Sequence, residues 1–466
     1  MSTLVLLLAG FFIIAATVYL MVRRVEVRLV LLGAGLLMAV VAGKPLAVLD
    51  TFTRAMVTGM VAPICAAMGF AAVLSATGCD QHLVHLLVAP LRRFRWLVLP
   101  GGILAAYVVN TAVTSMASTA AALGPILVPL MLRAGVPLDV AGAALILGAS
   151  CGGDLLNPGA QDVQALASTT HIAAQEISMR VVPSSIAGLL VAAFVFTLLN
   201  RRQSSPVRVD PGPVAPLAAL TAETQAPPRV NLLKAIIPLV PIALLLLAYY
   251  LRTRLGGQSP LAWLLEVPPL AGGDPKDVNE WHRLEGALPV VLGMLIGTLL
   301  AGAVGWREIQ QLARSLFEGM GSAYGNIISL TITAQCFGTG VAAIGVSTAL
   351  LGLLSASRFL APFFAATVPW GLAVLSGSGS GSILAFGQSF LARVDAQHHV
   401  ATLCALACLA GAYGRTMSPV AAVVIYSAGL VGVSPMVLVR RLLPAALVGA
   451  IAALATALLL GFSMPR

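Results

Sequence analysis

Runs of about 20 apolar residues recur along the whole chain, and that is the length an α-helix needs to cross a hydrocarbon core of roughly 30 Å. Leu4 to Val22 opens the series, the shorter Leu29 to Ala42 follows, and apolar stretches continue with polar breaks as far as Phe462. Of the 466 residues, 59% are hydrophobic and only 9% charged, with a mean hydropathy of +0.97; a soluble domain carries about 25% charge. The apolar character therefore belongs to the entire chain and is no anchor on a soluble head. The composition excludes a soluble globular enzyme and predicts an all-α polytopic membrane protein whose function sits within the bilayer.

The formal charge of +10 comes from 27 basic against 17 acidic residues. Basic residues gather beside apolar spans, at Arg23, Arg24 and Arg28, at Arg92, Arg93 and Arg95, and at Arg201, Arg202 and Arg208, as cytoplasmic loops do under the positive-inside rule. No basic stripe interleaved with aromatics lies on a polar domain, so no nucleic-acid partner is expected. The first apolar stretch lacks a basic segment before Leu4 and a small-residue cleavage site, and reads as a retained span with Met1 outside. The six cysteines lie in apolar surroundings. Cys404 and Cys408 would share a helix face without further ligands nearby, so buried thiols are expected rather than a metal site or disulfides.

An internal repeat organises the chain. Arg54-Ala-Met-Val-Thr-Gly59-Met60 returns as Arg314-Ser-Leu-Phe-Glu-Gly319-Met320, Gly153-Asp154-Leu-Leu-Asn157-Pro158 as Gly414-Arg415-Thr-Met-Ser418-Pro419, and Arg180-Val-Val-Pro183 as Arg441-Leu-Leu-Pro444. All three keep a separation of about 260 residues, which marks a duplication. The arginine-rich loops of the first half have poorer counterparts in the second, Arg358 standing alone where Arg92, Arg93 and Arg95 cluster; corresponding loops are then expected on opposite sides of the membrane, as in inverted repeats. The expected organisation is a first repeat over 1–200, a cytoplasmic Pro/Ser/Thr-rich linker over 201–231 and a second repeat over 232–466. A polar insertion at 252–285 is expected outside the cytoplasm, with Trp263 and Trp281 as interfacial anchors.

Each half carries two polar interruptions, three of the four glycine-rich, which must be buried in protein or line a cavity, because an unpaired backbone group in lipid costs several kcal/mol. In the first half they are Asn110-Thr111-Ala-Val-Thr114-Ser115-Met-Ala-Ser118-Thr119 and Gly152-Gly153-Asp154-Leu-Leu-Asn157-Pro158-Gly159-Ala-Gln161-Asp162. The second half supplies Ser376-Gly377-Ser378-Gly379-Ser380-Gly381-Ser382 and Gly411-Ala-Tyr413-Gly414-Arg415-Thr416-Met-Ser418-Pro419. Such tracts bring amides and hydroxyls close to a small anion at the positive end of the following helix, and unwound carbonyls can hold a cation. Small residues also serve close helix packing, but two tracts in equivalent places favour a binding site. Arg415 offers a fork of donors that suits a carboxylate, or an ion pair with Asp154 or Asp162. Those two aspartates are the coupling-ion candidates, with helix capping as the other role for Asp154. His171, His398 and His399 are placed at membrane interfaces.

The runs Asn157-Pro158-Gly-Ala-Gln161-Asp162, Ser376-Gly377-Ser378-Gly379-Ser380-Gly381 and Gly414-Arg415-Thr416-Met417-Ser418-Pro419-Val420 resemble those of the anaerobic four-carbon dicarboxylate carriers of the DcuC type, in the ion transporter superfamily. The resemblance implies a dicarboxylate carrier of the bacterial inner membrane, with paired re-entrant hairpins, a homodimer built on a scaffold domain, and elevator-like motion of a transport domain. Substrate contacts are expected on the polar breaks, at Asn110, Thr111, Ser115, Ser118, Thr119, Asn157, Pro158, Ser376, Gly377, Ser378, Gly379, Ser380, Arg415, Thr416, Ser418 and Pro419. Hairpin tips of the superfamily often carry Ser-Asn-Thr; the second tract here has no Asn, so the coupling cation, proton or sodium, stays open, as does exchange. No other cofactor is implied.

Other functions fit less well. An ATP-driven pump needs a phosphate loop ending in Gly-Lys-Ser/Thr, but Gly43-Lys44 is followed by Pro45, and no ATPase partner is evident. Gly148-Ala-Ser150-Cys-Gly152 satisfies the Gly-x-Ser-x-Gly pattern of a serine hydrolase, yet no later span carries a central His to act as base. An anion channel is the remaining alternative. Cysteines introduced singly by Arg93→Cys and Arg358→Cys, in a background without native cysteines, are expected to label from opposite membrane faces; labelling from one face would contradict inversion.

Overall fold

The computed structural model describes residues 3–23, 25–57, 61–94, 97–170, 172–200, 230–254, 288–305, 309–346, 349, 360–391 and 399–463. Arg24, Gly59, Met60, Arg95, His171, the arginines at 201, 202 and 208, Trp263, Trp281, Arg358 and His398, with most of the expected linker and polar insertion, lie outside them. Among the described residues every regular element is helical. In chain order the first half holds α1 (Thr3–Val22), α2 (Val27–Val41), α3 (Pro45–Ala55), α4 (Val61–Thr77), α5 (Cys79–Val88), α6 (Val98–Val113), α7 (Met116–Arg133), α8 (Leu138–Ser150), α9 (Gln161–Thr170) and α10 (Ala174–Asn200). The second holds α11 (Leu232–Ile236), α12 (Val240–Arg254), α13 (Leu288–Val304), α14 (Ile309–Ala323), α15 (Ser329–Ala343), α16 (Leu360–Ser376), α17 (Gly379–Ser389), α18 (Val400–Thr416), α19 (Ala422–Val431) and α20 (Pro435–Ser463).

Local sequence sets these boundaries. The Glu26 carboxylate caps α2 by accepting from Leu29 N at 2.9 Å, and Pro45 and Pro435 open α3 and α20 at the turn where a missing N–H costs nothing. Gly432, at φ 66°, ends α19 in the left-handed conformation that glycine takes without strain. Five described helices, or six when the bent pair Val61–Thr77 and Cys79–Leu91 counts as one, are long and apolar enough to cross a membrane. Several others are too short: α6 has 16 residues and α17 has 11, roughly 24 Å and 16 Å of helix.

The halves pack reciprocally. α2 lies along α15 while its counterpart α13 lies along α4; α3 packs on α15, and α14 on α4. Gly35 lets α2 approach α15, since a Cβ there would lie 2.6 Å from Cys336 O, and Gly297 lets α13 approach Phe70 on α4 in the same way. Arg180 of α10 reaches Thr402 at the start of α18, and Arg441 of α20 pairs with Asp139 at the start of α8 at 2.9 Å. α10 and α20 cross where Gly188 meets Gly449, its own counterpart in the repeat. The largest buried apolar cluster is built mainly from α6–α10 and α16–α20; three smaller clusters are built mainly from α1–α4 and α13–α15, one of them also taking in Ala165 of α9 and Leu384 and Ala385 of α17.

The six cysteines are buried free thiols. The second break of each half differs from expectation in one respect. α8 unwinds at Cys151, but α18 stays helical through Thr416, so Gly411–Arg415 is helix and the break falls at 417–421. The reason is local: Gly152 turns the chain at φ 84°, and Tyr413 stands in the equivalent place, where a bulky side chain disfavours that conformation. A side chain at the helix crossing is expected to be costly. Gly449→Val should lower thermal stability in detergent by about 1–3 kcal/mol through overpacking, whereas Gly429→Ala, with open space around it, should leave melting unchanged or slightly raised.

Candidate functional site

Two helical hairpins share one tip geometry. α6 ends at Thr114, held at φ 52°, and Ser115 then caps α7 by accepting from Ser118 N; α16 ends at Gly377, at φ 73°, and Ser378 caps α17 by accepting from Gly381 N at 3.1 Å. Glycine adopts that turn freely, but a β-branched threonine in it is an outlier worth of order 1–3 kcal/mol of strain. The fold keeps the turn at Thr114 despite its cost. Ser118 is exposed, with its hydroxyl 2.9 Å from Ser115 Oγ, and Ser115, Ser376, Gly377 and Ser378 are half-buried.

The hairpins rest on the two breaks. Asn110 Nδ2 of α6 donates to Asp154 Oδ1 at 3.3 Å, and its Oδ1 accepts from Thr119. Asn157 Nδ2 donates to Thr111 O at 3.2 Å, its Oδ1 accepts from Gly159 N at 2.9 Å, and Pro158 O accepts from Gln164. On the other side Gly377 lies against the backbone of Val420 and Ala421, and Gly379 against Arg415 Cδ, where a Cβ would clash at 2.6 Å. Gln161 Nε2 donates to Ser380 Oγ at 2.7 Å, tying the second hairpin to the first break. The buried Thr416 hydroxyl joins the two breaks directly, 2.9 Å from Ser150 Oγ.

Arg415 stands at the centre. Its Nη2 donates to both oxygens of Asp154 at 2.8 and 2.7 Å, its Nη1 donates to Asp162 Oδ2 at 3.0 Å, and all three side chains are at most 2% exposed. Asp154 and Arg415 stand 261 residues apart, in the motifs that recur between the two halves. Of the two roles open to Arg415, the ion pair is the one present here, and Asp154 spends its carboxylate on Arg415 and Asn110 rather than on a helix end. Asp162 Oδ1, Arg415 Nε and Ser418 Oγ are buried without a hydrogen-bond partner. Pro419 is half-buried.

Sequence reasoning missed three participants. Tyr107 bonds Ser185 at 2.7 Å, and Ser185 donates to Gly152 O at 3.1 Å, bracing the first break; Gln161 seats the second hairpin. Tyr107 lies one turn before Asn110 on the same face of α6, a spacing that could have flagged it. Ser150, the would-be nucleophile, is fully buried against Thr416.

Broken helices, polar tips and a charge cluster inside an apolar bundle define a polytopic membrane transporter. The family of C4-dicarboxylate anaerobic carriers (DcuC) matches residues 4–461, and the chain belongs to it. It is a transporter and not an enzyme. The anaerobic C4-dicarboxylate transporter DcuC of Escherichia coli is 23% identical over 388 residues, 82% of this chain and 76% of that one. A Haemophilus influenzae protein named only as an uncharacterised transporter is 40% identical over 130 residues, 28% of this chain and 90% of its own. The crystal structure of the Alcanivorax borkumensis YdaH transporter superposes with a TM-score of 0.54 at 17% identity, covering 90% of this chain and 88% of that one, a likeness of fold.

Breaking the cluster is expected to cost more than dissolving it. Arg415→Ala leaves two buried carboxylates facing each other and should lower detergent stability by about 3–5 kcal/mol. The triple change Arg415→Ala with Asp154→Ala and Asp162→Ala should recover most of that loss in a thermal-melting assay.

Proposed function

We propose that this chain is a secondary carrier of four-carbon dicarboxylates such as succinate, fumarate or malate in a bacterial inner membrane, coupled to a proton or sodium ion or working by exchange. The observation that carries the reading is the matched pair of hairpin tips, each a left-handed residue followed by a serine-capped helix start. A dicarboxylate has two like-charged ends, and two equivalent tips offer each end amides, hydroxyls and a positive helix end. Ser115, Ser118 and Thr119 would serve one carboxylate, and Ser376, Ser378 and Ser380 the other. Asn110, Thr111, Asn157, Pro158, Thr416, Ser418 and Pro419 would hold the breaks behind them. Arg415 is assigned to holding those breaks together through Asp154 and Asp162, and would touch substrate only if the cluster opened.

Several features support inverted repeats, with 1–200 and 232–466 as the two units and 201–231 as their cytoplasmic link. The loop arginines are unequal between halves, the packing is reciprocal, and α6 and α17 are too short to span, as re-entrant hairpins require. The large cluster formed by α6–α10 and α16–α20 would be the transport domain, and α1–α4 with α13–α15 the scaffold on which a homodimer forms. Elevator-like motion of the first against the second would deliver substrate across the membrane.

Labelled succinate should enter proteoliposomes in a saturable way and show counterflow, with pH and sodium gradients imposed separately; linear, non-saturable flux would favour a channel. Ser378→Leu and Ser118→Leu should each reduce uptake at least about tenfold, equivalent to about 1.4 kcal/mol, without loss of folded protein. Normal uptake by both variants would make the tips packing surfaces only.

A further inference from the structure

Arg415, Asp154 and Asp162 bring one cation and two anions into a space where each side chain is at most 2% exposed. One negative charge is left over. An uncompensated charge in a dry interior costs several kcal/mol, and a single bound proton removes it. The two carboxyls are unequally served. Asp154 takes two short bonds from one guanidinium nitrogen and a third from Asn110, whereas Asp162 takes one guanidinium bond, on Oδ2, and otherwise faces only the neutral hydroxyl of Ser380.

We propose that Asp162 is the proton-loading site of the carrier: with the cluster buried, a proton sits on Oδ1 and crosses the membrane with the transport domain. The inference deepens the dicarboxylate-carrier reading and rests on it for the statement that the cluster travels with substrate. The groups facing Asp162 are few. α18 presents Arg415 and Cys408, the turn after α8 presents Asp154, and α17 presents Ser380, which itself accepts from Gln161. Glu176 and Arg180 of α10 pair with each other at 3.3 Å, and α4 contributes the thiol of Cys65 as its titratable group. Loading forms one O–H bond on Oδ1 with a proton taken from water where the cluster opens. Release at the other face returns it to water, and nothing is oxidised or reduced. The loaded cluster is neutral, which is what permits its passage through a medium of low dielectric.

Infrared spectroscopy of the purified full-length protein tests the site without any substrate. The wild type should show the carbonyl stretch of a protonated carboxylic acid, sensitive to H/D exchange. The band should shift in Asp162→Glu, stay in place in Asp154→Glu, and vanish in the isosteric Asp162→Asn. No such band in the wild type, or one that follows Asp154→Glu instead, would overturn the proposal. In proteoliposomes an imposed pH gradient should raise succinate accumulation by up to about tenfold per pH unit for one coupled proton, and Asp162→Asn should abolish that response. A gradient response equal to wild type in Asp162→Asn would also overturn it. A wild type that shows the band yet moves no succinate would uphold the site while contradicting the substrate reading.

Discussion

The guanidinium of Arg415, gripped by Asp154 on both oxygens and by Asp162 on one, is the interaction on which the arrangement of the site depends. Three groups that could not remain charged in the membrane singly are admitted there together. Each comes from a different piece of chain: the end of α18, the short turn after α8 and the start of α9. Their meeting therefore fixes both broken helices at once. The hairpins inherit that order, because Asn110 bonds Asp154 and Gly379 packs on Arg415.

If the two halves are the inverted repeats proposed above, Asp154 and Arg415 occupy equivalent places, where two identical charges would repel and an aspartate facing an arginine attracts. The backbones of the two breaks also differ, since Gly152 turns the chain at φ 84° and Tyr413 stays helical.

Much of this was legible in the sequence, and what was not has physical reasons. Apolar runs gave the membrane class. The hairpin turns were readable because polar tracts around Ser115 and Ser378 interrupt otherwise apolar sequence. The partner of Arg415 was not decided by composition or spacing alone, since a buried arginine suits a substrate carboxylate and a side-chain carboxylate equally well. Gln161 and Tyr107 were invisible as site residues because their roles depend on tertiary placement, a contact with Ser380 in one case and with Ser185 in the other. The end of α18 was misplaced because a glycine-rich string was read as unwound, although Gly411 and Gly414 serve close packing against Ile383 and Trp370.

In the proposed carrier two tasks are divided within one site, with the tips binding the anion and the Arg415 cluster holding together the breaks behind them. An experimental structure of the carrier with succinate bound tests that division most directly. The account predicts density for one carboxylate at each serine-capped tip, near Ser115 and Ser378, with Arg415 still paired to Asp154. A succinate carboxylate seated on the Arg415 guanidinium in place of Asp154 would contradict it.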